Sequence, residues 1–466
     1  MHVVDVASVT TCAKDISSIL FKEASPNLLD MGIVKRISPL SLQLLKSTDH
    51  RIIGARQKLF FFDPASKGSC FFEPRGARIY NKLIDYLKEE YVRRGYNEVI
   101  TPNIYSCNLW ETSGHWDHYK DNMIRFQLGE FEHSLKPMNC PGHCLMFKKQ
   151  DTLTSDQLPV RWADFGVLHR NELSGTLYGL SRGRKFQQDD AHIFCTPEQI
   201  QSEVKDCLTF ARDVYQMFGF KVEFKLSLRP EQFLGEAENW DLAEESLRRA
   251  LEDMSLPYEE EKFEGAFYGP KIDLNVRDCR DKPIQCATVQ LDFQLPQRFD
   301  LTYKDLNTNK VKRPVIIHRA ILGSLERFIA ILAEHYEGKW PFWMSPLQAI
   351  FIPVHANFNN YTREICEDMR LAGHWVDCDI STDRMNAKLR NALLAPYNLT
   401  CIIGQREFDS NCVTCRLSLK DKSKSTSTIH NLIIDKDKLR AYFSEFETRR
   451  VDRADIELMR LEKSRQ

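Results

Sequence analysis

Asp164 to Cys195, DFGVLHRNELSGTLYGLSRGRKFQQDDAHIFC, is the stretch whose reading decides the fold. Alternate residues of a strand share a face, so a strand over Phe186 to Phe194 sets Gln188, Asp190 and His192 in one row between two phenylalanines. An amide, a carboxylate and an imidazole are costly in a core unless each has a partner, and a ligand or metal is the partner such a row calls for. Upstream, Arg170 and Glu172 share a face by the same alternation. The connection from Leu173 to Gly183 carries Ser174, Gly175, Gly179 and Arg182, with Arg184 just beyond. Two strands joined by a loop rich in glycine and arginine can form a bed for a planar base and its phosphates. A polar surface hairpin is the alternative, and it leaves Phe186 and Phe194 without a purpose.

At 466 residues the chain is long enough for two or three domains with real cores. Lys and Arg number 64 against 65 Asp and Glu, so any nucleic-acid contact must come from local patches, and composition neither supports nor excludes RNA. Fourteen scattered cysteines without a secretory apolar segment at the start imply a reducing compartment and free thiols. No run reaches the roughly 18 apolar residues of a membrane span, so no membrane partner is expected. Residues 1–48 read as an extension. Its first thirty include Asp5, Asp15, Glu23 and Asp30, whereas MGIVKRISPLSLQLLK from Met31 is basic, leucine-rich and free of acids, as mitochondrial presequences are. An ordinary amphipathic helix fits that segment equally well.

Along the core, LFFFDPASKGSCFFEPRG predicts two short strands around a turn, followed by a helix from Ala77 to about Arg93. YNEVITP predicts a strand ending at Pro102. His115 stands in NLWETSGHWDHYKDNM, and LKPMNCPGHCLMF holds Cys140 and His143, a metal-like pair that is weak evidence alone. Thr196, Pro197 and Gln199 open a helix running to about Met217. In EGAFYGPKIDLNV, Tyr268 and Lys271 flank a Gly-Pro pair, the lysine free to meet an anion. QCATVQLDFQL alternates, so Gln285 and Gln290 fall on opposite faces unless a bulge intervenes. PVIIH reads as a strand closed by His318, and RAILGSLERFIAILAEH as a helix on which Gly323 and Arg327 share a face. Beyond WPFWMSP, a stiff connector, the strands AIFIPV, WVDCDI and LTCIIG alternate with helices near Thr362 to Leu371 and Ala387 to Leu394. Cys412 and Cys415 have CxxC spacing but no second pair nearby, so the spacing is taken as coincidence.

Taken together, these segments resemble the threonyl-tRNA synthetases, a class II aminoacyl-tRNA synthetase family, from Asp49 to the C-terminal helix. The helix and strand ending at Pro102 look like motif 1, HRNE with its loop and strand like motif 2, and HRAILGSLERF like motif 3, while KPMNCPGH and QQDDAH are similar to the threonine-specific elements. The resemblance implies an α/β (α+β) chain. A class II antiparallel-sheet catalytic domain flanked by helices would cover 49–339, a linker 340–346 and an anticodon-binding α/β domain 347–466. It implies one zinc ion on Cys140, His192 and His318, with an open coordination position for amino-acid recognition. Gln188 and Asp190 would hold the threonine hydroxyl and Tyr268 the amino group, with Met138 and Gln290 in the same pocket. Arg170 and Lys271 would meet the carboxylate and α-phosphate, Glu172 the adenine edge, Phe186 the base, and Arg182 and Arg327 the outer phosphates of Mg2+-bound ATP, with Gln285 beside the nucleotide. His115 would sit near the terminal ribose for proton transfer.

The expected reaction is threonine–tRNA ligation, with L-threonine, ATP and tRNA(Thr) as partners and a homodimer built through motif 1. A non-catalytic tRNA- or mRNA-binding paralogue is the alternative, and a broken ATP or zinc constellation would mark it. Fewer than sixty residues precede the core, too few for the family's editing domain, so serine misactivation without editing in cis is expected, as in some mitochondrial members. The mitochondrial matrix is the expected location, otherwise the cytoplasm. In STDRMNAKLR, Asn386 stands where the family usually has glycine, a change that a left-handed backbone would tolerate. Ser418 replaces the second of two arginines that begin at Arg416, which puts the anticodon reading in doubt.

Overall fold

The computed structural model describes residues 48–277, 283–420 and 427–463, and the segment beginning at Met31 lies outside them. The described chain forms two compact units. One comprises Phe62–Phe71 and Ile84–Ile331; the other draws on Phe61 and the described residues before it, Phe72–Leu83, and the described residues from Leu332 onward.

The first unit is built on a sheet of strands β1 (Asn97–Glu98), β2 (Val160–Asp164), β3 (Val167–His169), β4 (Lys185–Cys195), β5 (Val222–Ser227), β6 (Tyr258–Glu261), β7 (Lys271–Arg277), β8 (Pro283–Asp292) and β9 (Val315–Ser324). Its order is β6-β5-β7-β8-β9-β4-β2-β1, with β3 paired to β4. Pairing is antiparallel except at the two edges, β5–β6 and β1–β2. The quoted stretch thus supplies β4, an interior strand held between β9 and β2. Helix α1 (Pro74–Arg93) and helix α2 (Cys140–Lys148) precede the central strands, α3 (Ile200–Met217) follows β4, and α4 (Ala237–Asp253) lies between β5 and β6 in the chain. Thr196 and Gln199 form a reciprocal capping box ahead of α3, whose Val204, Cys207, Leu208, Ala211 and Val214 recur at helical spacing and are buried. Phe194 belongs to the core, stacking on Phe147 of α2 with ring centroids 4.5 Å apart.

RAILGS is strand, not helix: β9 continues to Ser324 and only then does α5 (Leu325–His335) begin. Its apolar residues lie between β8 and β4 and are buried throughout, a setting in which a continuous apolar run is strand as readily as helix. Gly323 and Arg327 therefore share no helix face; Gly323 has φ +73 at the strand's irregular end. YNEVITP keeps only two ladder residues, and Arg170 to Glu172 leave the β3–β4 ladder after His169.

The second unit holds a mixed sheet of β10 (Ala349–Pro353), β11 (Val376–Cys378), β12 (Leu399–Ile403), β13 (Cys412–Lys420) and β14 (Ser427–Asp435) in the order β11-β10-β12-β13-β14. The first three are parallel and the last two antiparallel. Helices α6 (Asn359–Leu371), α7 (Met385–Leu394), α8 (Lys436–Thr448) and α9 (Ala454–Lys463) accompany it. Phe342, from the expected connector, is buried in this unit's core with Phe351, Phe443 and Phe446, and Trp340 donates its indole N–H to Gln57 at 2.9 Å. Asn386 lies in the first turn of α7 with no positive φ, so the left-handed conformation anticipated for it is not used. Cys401 and Cys415 are cross-strand neighbours with sulfurs 3.6 Å apart, and the described cysteines are free thiols. No described helix is long and apolar enough to cross a membrane.

Candidate active site and metal centre

Register puts the row of β4 at the centre of a polar face. Gln188 pairs with Ser324, Asp190 with Ala320 and His192 with His318 across β9. On the far side of β9, His318 pairs with Gln290 and Ala320 with Thr288 of β8. The question of Gln285 and Gln290 is resolved by a bulge: the ladder steps from Leu274–Ala287 to Asn275–Gln285, so Cys286 is extra. Gln285 therefore returns to the face of Thr288 and Gln290.

The outer part of this face opens into a cleft of about 600 Å³. Arg170, Glu172, Arg182, Phe186, Gln285 and Arg327 all line it, together with Gln188. The Arg170 guanidinium lies over the Phe186 ring at 4.9 Å, and its Nε is buried without a hydrogen-bond partner. Arg182 pairs with Glu172 at 2.7 Å, so these two oppositely charged groups hold each other. Arg327 makes no ion pair among the described residues. Glu326 accepts the backbone N–H of Gln187 at 2.9 Å and faces Lys185 at 3.3 Å, fixing the start of β4 against α5.

Further along β4 the face is closed. One donor atom each from Cys140, His192 and His318 falls within 4.8 Å of the others, and all three residues are buried. His192 Nε2 and His318 Nδ1 are 2.9 Å apart, while the far nitrogen of each ring is already held, His318 Nε2 by Asp292 at 2.9 Å and His192 Nδ1 by His143 at 2.7 Å. Burial, reinforced by His318 and His143, pushes the His192 pKa well down, favouring the neutral imidazole that ligates metals. One thiol and two imidazoles, each ring with an outer partner, fit a zinc ion.

The remaining predicted residues surround this nest. Burial pushes the Asp190 pKa up, opposed by His143 and by Asn139, whose amide donates to Asp190 at 3.0 Å. Tyr268 donates to Gln290 at 3.0 Å, and its ring lies 5.6 Å from that of His318. Lys271 is not free, contrary to the sequence expectation: its Nζ is 2.5 Å from Asp273, two residues on and so on the same strand face. Met138 packs against the apolar cluster around Cys140 and Phe147 and does not line the cleft. His115 is buried, hydrogen-bonded through Nδ1 to Ser113 at 2.8 Å, with Nε2 unpartnered. Burial drives its pKa down to about 4, so it is neutral at pH 7.

Sequence reading missed the supports. Asp189, one residue out of the polar row, faces away and accepts the N–H groups of Ile321 and Leu322, each at 2.8 Å, where β9 leaves the ladder. Arg319 faces Asp189 at 3.5 Å and stacks over Tyr96 at 4.6 Å. The Asp-Asp doublet in QQDDAH was the available signal, since alternation sends its two carboxylates to opposite faces. Lys136 and Asn139 lie inside KPMNCPGH and Asp164 opens the quoted stretch, but no local spacing assigns their hydrogen-bond partners, which lie 35 or more positions away.

Residues 126–336 match the model of the tRNA synthetase class II core domain (G, H, P, S and T), and 348–435 that of the anticodon binding domain. The chain is 54% identical over 372 residues to human threonine--tRNA ligase 2, cytoplasmic, covering 80% of this chain and 46% of that protein. It is 50% identical over 392 residues to the Arabidopsis thaliana threonine--tRNA ligase, mitochondrial 1, covering 84% and 55%. It thus spans about half the length of these curated relatives. A crystal structure described as the RNA binding domain of threonyl-tRNA synthetase from Cryptosporidium parvum Iowa II superimposes with a TM-score of 0.80 at 47% identity, covering 85% of this chain and 98% of that one. A chain that matches that structure from end to end, and that carries the class II core followed by an anticodon binding domain, belongs to the threonyl-tRNA synthetase family.

Proposed function

We propose that this chain is a threonine–tRNA ligase that activates L-threonine with Mg2+-bound ATP and transfers it to the 3′-hydroxyl of tRNA(Thr). The observation that carries the reading is the continuity of one sheet face, from the nucleotide-sized cleft at Gln188 to the buried Cys140, His192 and His318. In the first step a threonine carboxylate oxygen attacks the α-phosphorus, the bond from that phosphorus to the oxygen bridging the β-phosphate breaks, and pyrophosphate leaves. Arg170, with its unsatisfied Nε beside Phe186, positions the α-phosphate and stabilises its added charge. Phe186 stacks on the base, Glu172 reads the adenine edge, Gln285 lies alongside, and Arg182 and Arg327 take the outer phosphates. This needs the Arg182–Glu172 pair to open, and Lys271 to exchange Asp273 for the substrate.

Cys140, His192 and His318 would hold zinc, which when bound would supply a Lewis acid to the threonine hydroxyl and amine. Asp190 and Gln188 orient the hydroxyl, and Tyr268 and Gln290 the amino group beside Met138. Valine lacks the hydroxyl and leaves these groups unpaired, a loss of about 10⁴-fold or more, whereas serine lacks one methyl and is separated by about 10- to 200-fold. In transfer the ribose 3′-oxygen attacks the carbonyl carbon and AMP leaves. Neutral His115, its Nε2 open, accepts the proton.

Exposed Val92, Ile100, Ile104 and the cross-strand neighbours Leu128 and Phe131 support a homodimer, and sedimentation at micromolar concentration tests it. The acid-free segment from Met31 supports a mitochondrial destination, which an import assay checks. Amino-acid-dependent ATP–pyrophosphate exchange with threonine, serine and valine tests the main reading. Threonine-dependent exchange is expected, with weaker serine and negligible valine exchange; silence with all three would leave an RNA-binding module instead.

A further inference from the structure

Four groups beneath the metal nest form a chain that the reaction itself does not use. His143 lies one helical turn after Cys140 on α2 and is fully buried, its ring nearly perpendicular to that of His192. The two Nδ1 atoms are 2.7 Å apart, so a single proton lies between them. If His192 gives Nε2 to the metal, its Nδ1 must carry that proton and His143 Nδ1 must accept it. His143 then carries its own proton on Nε2, which faces Asp164 Oδ2 at 3.5 Å, longer than a formed hydrogen bond. The same carboxylate oxygen accepts the hydroxyl of Thr101 at 2.7 Å, and that hydroxyl accepts Lys136 Nζ at 2.8 Å. Lys136 itself is buried, 3.8 Å from Asp164. A buried ammonium is costly, and here it has a carboxylate to neutralise and one direction in which to act.

We propose that His143 is a positioning residue of the metal centre: with Asp164 behind it, it fixes the tautomer and ring orientation of His192 so that Nε2 faces Cys140 and His318. This rests on the zinc reading above. CPGH would thus supply both a ligand and the partner of a second ligand from one turn of helix, while Asp292 plays the equivalent part for His318. His143 contacts no substrate in this scheme, and its loss acts through the metal.

The test is Co2+ titration of the metal-stripped full chain, read by the d–d bands and the thiolate-to-cobalt band, with thermal unfolding as a control. Wild type should show a four-coordinate spectrum, and Cys140→Ser should lose the thiolate band. His143→Leu, of similar bulk but without an acceptor, should bind Co2+ about 10- to 100-fold more weakly with shifted d–d bands. His143→Asn, whose amide oxygen reaches the place of Nδ1, should recover most of that loss. A leucine variant with wild-type affinity and spectrum would overturn the positioning role while leaving the metal site standing. Absence of Co2+ binding by wild type would instead overturn the metal reading, and the relay with it. Should the leucine variant fail to fold, Asp164→Asn decides: a loss of about 10-fold supports the relay, and unchanged affinity and spectrum refute it.

Discussion

Arg170 is the side chain on which the cleft turns, because its planar guanidinium is held over Phe186 while one buried N–H still lacks an acceptor. Arg170→Gln should lower kcat for threonine-dependent pyrophosphate exchange by about 10²- to 10³-fold, since in the proposed reaction the charge it would meet grows in the transition state. Threonine affinity for the free protein, measured by calorimetry, should change much less. Arg319 carries a different burden. It is fully buried against Tyr91, Tyr96 and Asp189, and burial raises the Asp189 pKa to about 7 even with this cation beside it. Arg319→Leu strands that carboxylate and should cost about 3–5 kcal/mol in denaturant unfolding. Adding Asp189→Leu should not return the whole loss, because Asp189 also caps the N–H groups of Ile321 and Leu322. Each of these residues is visible in the sequence as a residue type, but only the row on β4 announces a site by its spacing. Lys271 shows the limit: its type suggests an anion, and the neighbour that neutralises it sits two residues on in the same strand.

Strand β9 shows what element-level reading can and cannot carry. Its apolar run fits a buried strand or a helix, and length and composition do not separate the two when partners on both sides supply the burial. Gly323 stands at a close approach because of its φ of +73 and a Cβ position 2.8 Å from the Cys286 carbonyl oxygen, not because it shares a helix face with Arg327. Gly323→Ala should destabilise the protein by about 1–3 kcal/mol. Because Ser324 and Arg327 follow directly, KM for ATP should rise several-fold with a smaller effect on threonine KM; equal changes in both would argue against this local origin. The bulge at Cys286 was likewise illegible, since an extra residue in a ladder is defined by its partner strand and not by its own sequence.

At the scale of the molecule, the unit that holds the anticodon-binding match is discontinuous in sequence. Glu447 on α8 accepts from Arg78 at 3.0 Å, Lys82 at 2.6 Å and Gln348 at 2.7 Å, and lies 3.3 Å from His374. Burial alone would raise its pKa, but the hydrogen bond from His374, the Arg78 charge and the Lys82 and Gln348 hydrogen bonds hold it at about 2. The native state therefore binds fewer protons than the unfolded chain. The resulting stabilisation is complete above the ordinary glutamate pKa of about 4.5 and is lost as pH falls toward 2. Allowing for solvent screening, it amounts to about 1–2 kcal/mol, and Glu447→Gln should flatten unfolding free energy against pH in that window. A fragment of residues 332–466 lacks Arg78 and Lys82 and should melt below the same unit in the full chain, as differential scanning calorimetry would record. What the sequence determined by itself was the local and the periodic: the row Gln188–Asp190–His192, the capped helix after it and the alternating C-terminal elements. Beyond the set Cys140, His192 and His318 that the family resemblance implied, the tertiary structure alone decided which distant residues meet, including His143 with Asp164, Asp189 with Arg319 and Arg78 with Glu447. Periodicity reports a residue's neighbours along its own element, whereas those partners are fixed by strand order and by close packing between elements far apart in the chain.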